Sequence, residues 1–234
     1  FNSLQMFAHH EQIPYENMHA VSVTGRPWHE LDRALLECRP LIGVLTDHVH
    51  TPRAIAKRMM EYHLDKDYTM RVAEHLGNPK KEKIYNIYSI EEISEMSFSC
   101  PNCALLMKAP NSTQQRPTLG IPDTKFVLLN DRAKMITKAP IRVIDLSLLE
   151  LHNSRTFWDI GACTGSVSIE ARRQYPHLNI QAFEVREECK DIIRANARLH
   201  SAPGIDLHIG NFLNLPIAEN AIVDAVFIGG HWIS

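Results

Sequence analysis

The stretch "FWDIGACTGSVSIE", residues 157–170, sets Asp159, Gly161 and Gly165 between an apolar run and the start of a helical pattern. A strand, a glycine turn and a helix bring backbone N–H groups and a helix N-terminus up to a nucleotide or nucleoside. Two cofactor classes use that arrangement. A pyrophosphate loop reads G-x-G-x-x-G, and here those positions are Gly161, Cys163 and Ser166. A cysteine side chain obstructs the close backbone approach that a pyrophosphate needs. An S-adenosylmethionine (SAM) loop reads G-x-G-x-G behind an acid two residues upstream. Asp159, Gly161 and Gly165 fit it, and only Cys163 departs. SAM carries no phosphate, so a small thiol beside its methionine portion is tolerable. The run Gly161, Ala162, Cys163, Thr164, Gly165 is therefore the candidate cofactor loop, with SAM favoured over NAD.

Further chemistry follows downstream. Glu184 closes the apolar run "QAFEV" 23 positions after Gly161, near the roughly 20 residues expected for an acid that binds ribose hydroxyls. Asn211 and Phe212 of "GNF" come after the next apolar run, where an adenine could be hydrogen-bonded and packed. The last run ends "FIGGH", not in the Asp/Asn-Pro-Pro-aromatic signature of enzymes that methylate base amino groups. Its two glycines leave room for a bulky flat substrate, and His231 behind them is the candidate substrate contact.

These residues need an α/β frame. Over 123–234 the pattern alternates: helix in "IRVIDLSLLEL", strand in "TFWDI", helix in "SVSIEARRQY", strand in "NIQAFEV". "REECKDIIRANARLH" follows as a helix with Cys189, Ile192, Ile193, Asn196 and Leu199 on one face, then strands in "IDLHIG" and "VDAVFIGG". Such βαβ alternation predicts a parallel sheet that binds ligands at its carboxyl ends. The segment 110–122 is rich in Pro, Ser, Thr, Asn and Gln and reads as a linker. Residues 1–109 form a separate α/β unit, with strands in "AVSVT" and "LIGVLT" and helices in "FNSLQMFAHHEQI" and "WHELDRALLEC". Thr51–Pro52 and the capping box Ser89–Glu92 open two more.

Composition narrows the partners. A formal net charge of −2 argues against nucleic acid. No apolar run reaches the roughly 20 residues of a membrane span, and no signal peptide is read. Five cysteines cannot all pair internally, so a reduced cytoplasmic chain is expected. "SCPNC" (99–103) is a lone C-x-x-C without the second pair that zinc needs, so no metal site is expected. "HVH" (48–50) would set two imidazoles on one face if extended, and His9 and His10 point apart on their helix.

Together "GIPDTKF", "MITKAPIR", "FWDIGACTGSVSIE", "AFEV" and "FIGG" resemble the decarboxylating methyltransferases of cobalamin biosynthesis, the CbiT family. "SVTGRP", "LTDHVHTP" and "AEHLGNP" make the first half similar to the CbiE type of tetrapyrrole methylase, and the order of halves matches the fused CobL type. The resemblance implies the C-terminal half of a tetrapyrrole methylase domain (1–109), followed by a Rossmann-like SAM-dependent methyltransferase domain with an incomplete parallel sheet (123–234). It also implies a precorrin substrate, methylated at ring-bridging carbons with loss of carbon dioxide from an acetate arm, and a homo-oligomer. SAM would be held by Thr137 of "ITK", residues 161–165, Glu184, and Asn211–Phe212. Arg132, Lys138 and Arg142 are candidate partners for the substrate's carboxylates. By the same resemblance the chain is expected to be cut at both ends, its open sheet edge covered by absent residues or another chain. An NAD(P)-dependent oxidoreductase and a non-catalytic fragment are the alternatives.

Overall fold

The computed structural model describes residues 2–110, 119–216 and 222–229, apart from the side chains of residues 87 and 88. The chain divides into two compact units, Phe1–Gln115 and Arg116–Ser234.

In the first unit β1 (His19–Ser22), β2 (Leu41–Leu45), β3 (Tyr68–Glu74), β4 (Lys83–Ser89) and β5 (Asn102–Lys108) form one sheet of order β1-β2-β5-β3-β4. Only β1 and β2 pair in parallel. β3 and β4 have no counterpart in the sequence reading, and their antiparallel pairing makes the sheet mixed. α1 (Ser3–His10), α2 (His29–Leu36), α3 (Pro52–Glu61) and α4 (Ile90–Glu95) complete the unit. Thr51 caps α3, its hydroxyl accepting from Ala54 N–H, and the Ser89–Glu92 box opens α4 with both bonds present. Ile42, Val44, Met70, Val72, Ala104 and Leu106 build a core against Leu31, Leu35, Ile55 and Met59. The "HVH" segment is not extended: the Asp47 carboxylate accepts from Val49 and His50 N–H and pairs with the His50 ring.

The second unit contains α5 (Ala139–Leu148), β6 (Thr156–Ile160), α6 (Ser166–Gln174), β7 (Asn179–Glu184), α7 (Cys189–Leu199), β8 (Ile205–Ile209) and β9 (Ala225–Ile228). All its strand pairs are parallel, in the order β8-β7-β6-β9. Numbered from β6 that order is 3-2-1-4, so the chain reverses direction across the sheet between β6 and β9. Such a switch point opens a crevice at the carboxyl ends of the two strands. Phe157, Ile180, Val167, Ala171 and Leu146 bury the sheet against its helices.

One helix is shorter than its pattern suggests. α7 begins at Cys189, which leaves residues 185–188 in the turn after β7. Its buried face is Cys189, Ile193, Asn196 and Ala197, whereas Leu199 is 54% exposed, because the helix ends there and turns away at His200.

Candidate functional site: a glycine loop at the switch point

The loop between β6 and α6 sits at this reversal. Gly161 has φ +83°, and a Cβ there would lie 2.2 Å from the Gly229 carbonyl oxygen, so only glycine lets the two strand ends meet. Gly165 caps α6 at φ +73°, and a Cβ there would lie 3.0 Å from Ile193. Cys163 also adopts a left-handed conformation, φ +49°, in the slot where the motif has its middle glycine. The backbone N–H groups of Gly161 and Ala162 both donate to Phe183 O, at 2.8 and 3.0 Å, tying the loop to the end of β7.

Two carboxylates set the electrostatics. Asp159 is buried beneath the loop, and its Oδ2 accepts from Ser168 N (3.1 Å) and Ser168 Oγ (2.6 Å), clasping the end of β6 to the first turn of α6. Its Oδ1 and the buried Thr164 Oγ1 have no hydrogen-bond partner among the described residues. Burial, with a smaller push from Glu184, raises the Asp159 carboxyl to about 6 against the bonds from Ser168.

Glu184, 2% exposed, ends β7. Its Oε2 accepts from Cys163 N (2.8 Å) and Arg186 Nη2 (3.1 Å), and its Oε1 from Arg186 N (3.0 Å) and Nε (2.8 Å). Burial pushes this carboxyl upward, but the Arg186 bonds and the Cys163 N–H outweigh it and hold it below the usual range. Arg186, raised in turn chiefly by its bonds to Glu184, is the residue that the sequence reading missed. That reading placed it inside a helix. The signal was its position two residues past the end of β7, within reach of its carboxylate.

These groups line a cavity of about 980 Å³, at the upper end of small-ligand pockets. Its walls include Thr137, Gly161, Ala162, Cys163, Thr164, Glu184, Asn211 and Phe212, so eight of the nine expected cofactor residues converge on it. The ninth, Gly165, lies behind the loop as the α6 cap. The Asn211 side chain also accepts from Leu213 N (3.0 Å), which orders the turn carrying Phe212. Phe212 packs edge-on against Phe183 (5.0 Å) and Trp158 (5.9 Å), and Lys134, Met135 and Ile136 join Thr137 on the wall. His231 lies outside the described residues.

One expectation needs correction. Arg142 cannot reach a substrate, because it is fully buried. Its Nε meets Glu170 Oε1 at 2.8 Å, its Nη1 meets Asp123 Oδ1 at 2.8 Å, and it donates to the carbonyls of Thr137 and Ile121. Glu170 in turn accepts from Gly120 N and Ile121 N, so the pair clamps the segment before α5 and fixes the wall that carries Thr137. A cluster with metal-ligand chemistry also exists: Cys163, Glu184 and Cys189 each offer a ligand atom, all within 4.8 Å of one another. Spacing alone hid it, since the three residues come from three different elements.

A parallel 3-2-1-4 sheet, with a glycine loop at its reversal and an acid ending the second strand, puts this unit in the class of Rossmann-like α/β domains. Residues 129–233 match the family model described as "Precorrin methyltransferase domain". The chain is 38% identical over 95 residues to the cobalt-precorrin-6B C(15)-methyltransferase (decarboxylating) of Salmonella typhimurium, across 41% of this chain and 48% of that protein. It is 28% identical over 211 residues to the precorrin-6Y C(5,15)-methyltransferase [decarboxylating] of Sinorhizobium sp, across 90% of this chain and 49% of that protein. The chain thus spans about half the length of the curated relatives it matches. The crystal structure of precorrin-6y C5,15-methyltransferase from Geobacter metallireducens GS-15 is 35% identical and aligns with a TM-score of 0.44, over 50% of this chain and 60% of that one.

Proposed function

We propose that this chain carries out SAM-dependent, decarboxylating C-methylation of a precorrin, as a precorrin-6Y C(5,15)-methyltransferase. Residues 1–109 would be the C-terminal part of a CbiE-like tetrapyrrole methylase and residues 123–234 a CbiT-like methyltransferase, joined by 110–122. The observation that carries the reading is the meeting of the glycine loop and the Glu184 carboxylate on one cavity at the switch point.

The residues present fit the cofactor. Among the described residues Asp159 Oδ1 and Thr164 Oγ1 lack hydrogen-bond partners, and both lie at the loop that would take the amino-acid end. Glu184 would accept from both ribose hydroxyls once the Arg186 guanidinium swings aside, and Asn211 and Phe212 would flank the base. When bound, SAM supplies an activated methyl group. The protein's task is then mainly proximity and orientation, worth roughly 7–11 kcal/mol in favourable cases. The loop and Glu184 fix the donor's two ends, and the Arg142–Glu170 clamp holds the Thr137 wall against it. Lys138 and Arg132, both exposed, remain the candidate cations for the substrate's carboxylates. Loss of carbon dioxide from an acetate arm asks only for an electron sink, which the conjugated macrocycle provides.

The reading carries with it a cytoplasmic homo-oligomer without nucleic-acid partners. The net charge of −2 and five free thiols support that setting, and no helix among the described residues is long and apolar enough to cross a membrane. Calorimetric titration decides the cofactor class. SAM should bind with measurable heat and NAD without any, whereas tight NAD binding with no SAM heat would return the domain to the oxidoreductases.

A further inference from the structure

The residue by which the loop departs from its motif brings a chemistry that SAM binding does not use. A glycine at 163 would contribute only backbone; the cysteine places a buried thiol on the cavity wall. A second buried thiol, Cys189, opens α7 close by, and the Glu184 carboxylate completes a triad whose ligand atoms all lie within 4.8 Å of one another. A tetrahedral zinc ion holds sulfur at about 2.3 Å and carboxylate oxygen at about 2.0–2.2 Å, which sets neighbouring ligand atoms about 3.4–3.8 Å apart. From separations of at most 4.8 Å the triad reaches that spacing when its atoms close by up to about 1.4 Å, within the range of side-chain rotation.

We propose that Cys163, Cys189 and Glu184 form a binding site for a soft divalent cation of the zinc or cadmium type, and that the ion excludes the nucleoside by taking the Glu184 carboxylate. The exclusion rests on the nucleoside reading given above; the metal site does not. Both thiols give up their protons to solvent as the ion enters, and no electron is transferred. Two thiolates and one carboxylate leave the ion with one surplus negative charge, which the Arg186 guanidinium beside Glu184 balances. That guanidinium, about one-third exposed, has solvent to move into when the ion replaces it on the carboxylate. The fourth position faces the cavity through Cys163, so ions enter there and water completes the shell.

Two thiols and a carboxylate select thiophilic ions. Magnesium and calcium, which take all-oxygen shells, are poorly matched. Exposed Cys100 is the competing thiol, so the experiment uses the full chain carrying Cys100→Ser. Titration with cadmium chloride is followed by the ultraviolet thiolate-to-cadmium absorption and by calorimetry. One equivalent should give the thiolate band, and Cys189→Ala should abolish it while leaving SAM affinity within twofold. Cys189→Ser, which keeps the side-chain size, guards against loss through misfolding. Cadmium at ten times its dissociation constant should weaken SAM about tenfold, reversed by a chelator. Absence of the band, or a band unchanged in both Cys189 variants, overturns the site. SAM affinity indifferent to bound cadmium overturns the exclusion. Cadmium binding lost in the variants, with no SAM binding by the metal-free protein, supports the site and refutes the nucleoside reading instead.

Discussion

Asp159 shows how one buried carboxylate ties β6 to α6 through Ser168. Its pKa of about 6 lies above the usual 3.8, so between these values the folded chain keeps a proton that the unfolded chain has released. Stability therefore falls as pH rises through that window, by about 3 kcal/mol for a shift of this size. Asp159→Asn retains an acceptor for Ser168 N–H but cannot ionise. Urea unfolding at pH 4 and pH 7 should show this decline in the parent and its loss in the variant; an unchanged slope would place the titration elsewhere. Gly161 tests sterics instead of charge. Alanine there meets both a left-handed backbone and the Gly229 carbonyl 2.2 Å away, and should cost about 2–5 kcal/mol in the same assay. At this scale the sequence was highly legible, because Asp159, Gly161, Gly165 and Glu184 are spaced by the loop geometry itself. Arg186 was not, since an arginine after a strand is usually a solvated charge. Only its three bonds to Glu184, the backbone N–H included, mark it out.

At the level of elements, the loop is braced from behind by α7. Buried Asn196 donates to Thr164 O (2.9 Å) and Val127 O (3.0 Å) and accepts from Val127 N (2.7 Å). One amide thus joins the glycine loop to the segment that leads into the Thr137 wall. Asn196→Ala leaves three backbone groups without partners and should cost about 2–4 kcal/mol. It should also weaken SAM binding, although Asn196 does not line the cavity; calorimetry showing parent affinity in a folded variant would contradict this bracing role. The strands and helices around the loop could be read from alternating apolar runs and caps. β3 and β4 could not: the alternation of β3 over Tyr68–Val72 gives way to buried Ala73 and the buried charge of Glu74, and β4 is an edge strand opening on Lys83 with polar Asn86 inside it. Arg142 misled for a related reason. Nothing in its local sequence reveals that Glu170, 28 residues away, waits to pair with it. A buried pair of this kind costs about 3–5 kcal/mol to break from one side, so Arg142→Ala should unfold the second unit at markedly lower urea without the substrate-specific defect first expected of it.

For the whole molecule, two units of different sheet design lie on one chain, and the cavity with its converging residues is in the second. In the proposed function Glu184 exchanges its guanidinium partner for a sugar. A crystal structure of the protein soaked with S-adenosylhomocysteine tests it most directly. The ribose hydroxyls should lie on the Glu184 carboxylate, with Arg186 turned away and the amino-acid end against residues 161–165. A cavity still empty at saturating nucleoside, or Glu184 still held by Arg186 with the ligand bound elsewhere, would contradict it.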